Sequence, residues 1–68
     1  MLYMVIPLDP GKKWKITSDN QEIGIVDRLA TGYLVSLTDP PKKVKRYRMI
    51  DALHETLGED SEIQVLEG

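Results

Sequence analysis

A chain of 68 residues is enough for one domain, residues 1–68, but such a domain buries only about 60% of the surface that its unfolded chain exposes. The sequence contains no cysteine, which excludes disulfides, thiolate metal ligands and cysteine nucleophiles. Hydrophobic residues make up 41% of the chain and charged residues 29%, as in ordinary globular proteins, and a net charge of −2 offers no long-range attraction to polyanions.

The first apolar run, LYMVIPL at residues 2–8, predicts a β-strand that is buried on both faces. Both faces could be covered in two ways: by a second copy of the chain, giving a homodimer through residues 2–8, or by the chain's own helix and sheet. The run has no basic flank and is far shorter than the roughly 18 residues of a membrane span. We therefore expect a cytoplasmic protein with no membrane contact.

Three more strands are predicted by the alternation of polar and apolar residues between turns. The turn DPGK precedes KKWKITS, in which Trp14 and Ile16 share one face. The turn SDNQ precedes EIGIVDRLA, in which Ile23 and Ile25 share a face and Gly24 predicts a bulge or the close approach of another segment. The turn ATG precedes YLVSLT, in which alternate residues again share a face.

The basic segment KKVKRYR at residues 42–48 is predicted to be a strand and not the start of a helix. Asp39 could cap a helix, and Pro40 could occupy its first position. However, Pro41 disfavours the α conformation at Pro40, and cations in the first turns oppose the helix dipole by about 0.3–1 kcal/mol each. Lysines along such a strand also have a purely structural role, because they discourage a sheet edge from pairing with other sheets.

A helix of about residues 48–57 is predicted next, because an apolar stripe at helical spacing runs up to Gly58, which is expected to end it as a left-handed C-cap. The stripe consists of Tyr47, Ile50, Leu53 and Leu57. No Ser, Thr, Asp or Asn caps its start, and EIQVL follows as a last strand. The predicted fold class is α+β: a small, mostly antiparallel sheet of five or six short strands with one helix packed on one face. The predicted core consists of Leu2, Val5, Ile16, Ile25, Val35, Leu37, Ile50, Leu53 and Leu57.

Two arrangements of basic and aromatic residues indicate a nucleic-acid contact. In the basic strand 42–48, cations flank Tyr47, which would place phosphate contacts beside a stacking ring. Trp14, between Lys13 and Lys15, repeats the arrangement, although aromatic rings in a small domain more often pack in its core. The candidate residues for binding nucleic acid or another partner are Lys42, Lys43, Lys45, Arg46, Tyr47, Arg48 and Trp14.

Catalysis and cofactor binding have little support in the sequence. The single histidine, His54, has no partner at a recognisable spacing. The acids at residues 59–62 lack the ligand spacing of a calcium loop, and PGKK lacks the flanking residues of a phosphate-binding loop. We therefore expect no catalytic, metal-binding or cofactor-binding residues and no enzyme activity.

The function expected from the sequence is that of a small non-catalytic binding module, acting as a protein-interaction regulator or accessory factor and encoded, for example, by a mobile element. Exposed strand edges can recruit a protein partner by β-augmentation. Residues 51–68 contain six acids and no Lys or Arg, which predicts a dipolar surface. These acids are Asp51, Glu55, Glu59, Asp60, Glu62 and Glu67. The alternative is a nucleic-acid-binding protein that uses the basic strand 42–48.

Overall fold

The computed structural model describes residues 2–66, which form one six-stranded sheet with a helix packed on one face. In chain order the elements are β1 (Leu2–Asp9), β2 (Lys13–Ser18), β3 (Gln21–Leu29), β4 (Gly32–Thr38), β5 (Pro41–Arg46), α1 (Met49–Leu57) and β6 (Glu62–Val65). The strand order across the sheet is β5-β4-β3-β2-β1-β6, and neighbouring strands are antiparallel except for the parallel pair β1 and β6. The predicted α+β fold is confirmed.

The first two turns use residues that accept a positive φ, as predicted. Gly11, with a φ of 79°, lies between β1 and β2, where the Lys12 amide donates to the Asp9 carbonyl at 2.9 Å. Asp19 and Asn20 have φ angles of 51° and 65° and form the two-residue turn between β2 and β3. Two successive residues with positive φ suit the twist of a tight hairpin.

A β-bulge in β3 decides which of its side chains enter the core. The register between β2 and β3 shifts after Ile16, so that Ile23 is the extra residue. A Cβ at the neighbouring Gly24 would lie 2.6 Å from the carbonyl oxygen of Ser36, so the predicted bulge and close approach both occur. Ile23 packs against the core, whereas Ile25 lies on the opposite face. The prediction that these two isoleucines share a face is wrong because of the bulge.

The core lies between the sheet and α1. Its buried apolar residues are Val5, Trp14, Ile16, Val26, Val35, Ala52 and Leu53. Partly buried side chains that pack on it include Leu37 and Leu57. Burial of each large aliphatic side chain stabilises the fold by about 1.5–3 kcal/mol. Six of the nine predicted core residues are therefore confirmed: Val5, Ile16, Val35, Leu37, Leu53 and Leu57.

Three predicted core residues lie elsewhere, each for a geometric reason. Leu2 is 50% exposed, because alternate residues of β1 face opposite sides of the sheet and Val5 takes the inward side. Ile25 is half-buried on the outward side, and the adjacent Val26 fills the core in its place. Ile50 is half-buried and stands outside the core cluster, since its neighbours in α1 face the sheet.

The helix begins at Met49, one residue later than predicted, and ends at Leu57 as predicted. Arg48 occupies the N-cap position with extended backbone and no side-chain capping bond, so the predicted lack of a cap is confirmed. Gly58 has a positive φ of 107°, although its ψ of 143° is extended, and its amide donates to the His54 carbonyl at 2.8 Å. Within residues 2–66, no helix is both long and apolar enough to cross a membrane.

Candidate binding surfaces

The sheet has a covered face, on which α1 packs, and an open face on the opposite side. Residues paired across neighbouring strands share a face, so the register assigns side chains to one face or the other. Val5, paired with Ile16, and Val35, paired with Val44, lie on the covered face. The residues that alternate with these make up the open face.

The basic strand is divided between the two faces. It ends at Arg46, so the predicted strand 42–48 is two residues too long, and it is the edge strand β5. Lys42 and Arg46 lie on the covered face with Val44, whereas Lys43 and Lys45 lie on the open face. The cations of this strand therefore do not form the single continuous surface that the sequence indicated.

Glu55 of α1 holds the two cations of β5 that lie on the covered face. The Nη2 atom of Arg46 donates to Oε1 of Glu55 and forms an ion pair with it. The two side chains are 47% and 45% exposed, and an ion pair in such a position contributes about 0.2–1 kcal/mol. The Nζ atom of Lys42 donates to the Glu55 carbonyl at 3.2 Å. Both cations thus have a partner within the chain.

The two aromatic candidates have opposite environments. Tyr47, in the bend between β5 and α1, is 83% exposed, and its neighbour Arg48 is also exposed. Trp14 is only 8% exposed and packs in the core, where its ring centroid lies 6.0 Å from that of Tyr33. The ring of Trp14 is therefore inaccessible to a nucleobase, and we leave it out of the candidate surfaces.

An apolar row on β1 stays at the surface. We call it the β1 stripe: Leu2, Met4 and Ile6 on the open face, extended by Leu8 at a bulge near the end of the strand. Leu2 and Leu8 are each 50% exposed, and Met4 and Ile6 are half-buried. A single copy of the chain therefore covers β1 on the side of Val5 alone, so the predicted burial on both faces is not achieved within one chain.

Lysines that the sequence reasoning associated with Trp14 belong to the open face. Lys15 pairs with Ile6 and Ile25, both on this face, and Lys13 pairs with Asp27. Since Trp14 points the other way, its flanking lysines lie with Lys43 and Lys45 and not around its ring.

Charge is separated along the direction of the strands. The basic end of the sheet is formed by residues 9–13, 28–32 and 46–48, and the acidic end by residues 18–22, 38–41 and 58–62. The basic end carries Lys12, Lys13, Arg28, Arg46 and Arg48 with a single acid, Asp9, and the acidic end carries Asp19, Glu22, Asp39, Glu59, Asp60 and Glu62. The surface is polarised between these two ends, with Asp51 and Glu55 on the helix between them. Glu67 of the predicted acidic segment lies outside the described residues.

Two adjoining grooves lie at the basic end. The first has a volume of about 410 Å³ and is lined by the β3–β4 turn and the β5–α1 bend, including Arg28, Leu29, Tyr47 and Arg48. The second has a volume of about 520 Å³, shares Arg28 and Leu29 with the first, and adds Lys12. The sequence reasoning missed Lys12 and Arg28. The hairpin topology could have found them, because alternate turns of a meander lie at the same end of the sheet.

A metal centre has no basis in the described part of the chain, in which no three His, Cys, Asp or Glu side chains are grouped to hold an ion. His54 lines a groove of about 540 Å³ together with Asp51, Glu55 and Glu59.

Comparisons with protein-family models, with curated proteins and with solved structures gave no match. The chain's own surfaces are therefore the basis for the function proposed below.

Proposed function

We propose that the protein is a small non-catalytic binding module that acts through protein contacts on the open face of its sheet. The β1 stripe is the observation that carries this proposal. It places two leucines, each half exposed, beside two half-buried apolar side chains in one row of a very small domain. Contiguous apolar surface on a soluble chain marks an interaction site more often than a free surface. A regulatory or accessory role and a cytoplasmic location remain part of this proposal.

A second copy of the chain is the partner that fits the β1 stripe best. Three of its members, Leu2, Met4 and Ile6, are evenly spaced, so this part of the row is symmetric about Met4, with Leu8 beyond one end. A two-fold axis through Met4, perpendicular to the strand, would set Leu2 of one copy against Ile6 of the other and Met4 against Met4. Such an isologous contact needs one surface that complements itself, and an evenly spaced apolar row meets that condition.

Charge supports the same antiparallel arrangement. Lys15 lies beside Ile6, toward the basic end, and Glu62 lies beside Leu2, toward the acidic end. Antiparallel stacking brings the basic end of each copy over the acidic end of the other, so Lys15 approaches the part of the partner that carries Glu62. Parallel stacking would instead set like charges against each other, which is unfavourable.

Light scattering coupled to size-exclusion chromatography tests this proposal. The wild type should have a molar mass of about twice 7.7 kDa at micromolar concentration. Ile6→Glu should give a monomer, because it places a charge in the centre of an apolar contact. The change is expected to leave the fold intact, since Ile6 lies outside the core cluster.

Leu29→Glu is the matched control, because it also replaces an apolar side chain of the open face by a carboxylate but lies at the basic end of β3, two strands away from β1. It should remain a dimer. A wild type that stays monomeric at high concentration would refute self-association and leave the stripe to a different protein. A folded Ile6→Glu dimer would show that the copies meet through another surface.

The alternative function, nucleic-acid binding along residues 42–48, has less support in its original form. Lys42 and Arg46 already contact Glu55, and Trp14 is buried. Of that set, Lys43 and Lys45 are exposed on the open face, whereas Tyr47 and Arg48 are exposed together at the basic end and lead to a different site.

A further inference from the structure

The first groove of the basic end combines positive charge with an exposed aromatic ring. Arg28 reaches it from the end of β3, Tyr47 and Arg48 from the β5–α1 bend. None of the residues that line it is an Asp or a Glu. The local potential is therefore positive even though the whole chain carries a net charge of −2.

The cations of this groove are available to a ligand. In the part of the chain that the structure describes, Arg46 with Glu55 is the only ion pair, so neither Arg28 nor Arg48 is held by a carboxylate. Arg28 makes one long hydrogen bond, from Nη1 to the Gly11 carbonyl at 3.4 Å. Such a contact holds the side chain across the turn and leaves most of its five donors for an anion.

Tyr47 is the least expected feature of the groove. Its side chain is 83% exposed, which is unusual for a large ring in a chain that contains one Trp, three Tyr and no Phe. Leu29, which is 39% exposed, lies across the same groove. An exposed ring beside guanidinium groups is the combination with which proteins stack a nucleobase while holding its phosphates.

The start of α1 adds to the positive potential. Arg48 is the N-cap residue, Met49 is the first residue of the helix, and both line the groove. No side chain caps this end, so the first amides of the helix keep free donors, and the helix dipole is positive there. Asp51 in the first turn partly offsets this field but does not line the groove.

A second groove continues the surface toward Lys12. It shares Arg28 and Leu29 with the first, and Lys12 lies in the β1–β2 turn. From β5 to β2 there are three strand spacings of about 4.8 Å, so the two grooves form a track of about 14 Å along the basic end. Cations at both ends of a track with a ring at one end suit a flexible phosphodiester chain.

We propose that the basic end of the sheet is a binding site for single-stranded nucleic acid. A base stacks on Tyr47, Arg48 and Arg28 contact the adjoining phosphates, and Lys12 contacts a phosphate further along the strand. The site shares no residue with the β1 stripe, and the variants and probes that test it differ from those that test the dimer. Single-stranded nucleic acid fits better than an acidic peptide, because carboxylate side chains cannot stack on the exposed ring of Tyr47.

Fluorescence anisotropy with labelled dT12 and rU12 at about 50 mM salt tests this site. The wild type should bind both probes, and binding should weaken steeply as salt is added. Tyr47→Ala should weaken binding about tenfold, whereas Tyr47→Phe should stay within about twofold of the wild type, because stacking needs the ring and not the hydroxyl. Arg48→Ser should also weaken binding about tenfold and reduce the salt slope by about 0.7, the value for one lost phosphate contact on a single strand.

Lys42→Gln is the control for charge alone, because it removes one cation from the acidic end of β5, far from the groove. It should change the affinity less than twofold. The site would be refuted if neither probe binds, if Lys42→Gln weakens binding as much as Arg48→Ser, or if Tyr47→Ala has no effect. Binding of poly-glutamate that is as tight as that of dT12 and insensitive to Tyr47→Ala would assign the basic end to an acidic peptide instead.

Discussion

Gly24 shows how one residue sets the arrangement of side chains on two strands. Its position directly after the bulge brings the backbones of β3 and β4 close together, and a Cβ would meet the Ser36 carbonyl at 2.6 Å and the Leu37 Cδ2 atom at 2.8 Å. The first of these atoms belongs to the backbone of a paired strand and cannot move away without disturbing the sheet.

Gly24→Ala should therefore lower the free energy of unfolding by about 1–3 kcal/mol, the usual cost of overpacking. Urea denaturation followed by tryptophan fluorescence measures it, since Trp14 is buried in the folded state. Gly11→Asn is the control: no atom lies within 4 Å of a Cβ there, and Asn accepts the positive φ, so the loss should stay below about 0.5 kcal/mol. Equal losses at both positions would contradict the close approach at Gly24.

Residue types predicted the turns well, but they predicted less well on which face of the sheet each side chain lies. The positive φ of Gly11, Asp19 and Asn20 follows from the residue types alone. The inward position of Val26 does not, because the bulge that displaces Ile25 depends on the register with a neighbouring strand. The burial of Trp14, in contrast, follows from alternation, because Trp14 shares a face with the core residue Ile16.

The observed strands and helix agree closely with those predicted from the sequence, whereas their first and last residues agree less well. The succession of strands along the chain and the helix up to Leu57 could be predicted from periodicity and from Gly58. The start of α1 could not be fixed as well, because no residue marks it and the chain leaves β5 through a bend that holds Tyr47 and Arg48. The missing cap at the start of α1 lowers the stability of the protein, and this end of the helix lies in the proposed nucleic-acid site.

Arg48→Ser should stabilise the protein while it weakens nucleic-acid binding. Arg48 has the extended backbone of an N-cap residue, with a φ of −106° and a ψ of 139°, so a serine hydroxyl there can accept a bond from a free amide of the first turn. We expect a gain of about 1 kcal/mol, which raises the melting temperature by about 4–8 °C in a domain of this size.

Differential scanning calorimetry of Arg48→Ser and Arg48→Ala measures this gain. Alanine removes the same charge but cannot cap the helix, so its melting temperature should lie well below that of the serine variant. If both variants have the same melting temperature, the backbone amides at the start of α1 already have other hydrogen-bond partners. A serine variant that is more stable and binds less also rules out unfolding as the reason for lost binding.

At the scale of the whole molecule, the topology gathers charges that are far apart in sequence. Lys12 lies in the β1–β2 turn, Arg28 at the end of β3 and Arg48 in the β5–α1 bend, and the meander brings them to one end of the sheet. The sequence reasoning followed a dense run of cations and so emphasised β5, whereas the sheet divides that run between two faces. The positions of charged residues along the sequence predict an uneven distribution of charge, but only the order of the strands across the sheet determines where on the surface the charge lies.

The arrangement of two copies on the β1 stripe is the central claim about the whole molecule, and a crosslink at Met4 tests it most directly. The chain has no cysteine, so Met4→Cys introduces a single thiol, and a bis-maleimide that matches the roughly 10 Å separation of packed sheets can join two of them. Thr31→Cys is the control, because the two-fold axis places the two copies of this exposed turn residue at opposite ends of the dimer. The account predicts a covalent dimer in high yield for Met4→Cys and almost none for Thr31→Cys. Equal yields from both variants, or no dimer from Met4→Cys, would contradict it.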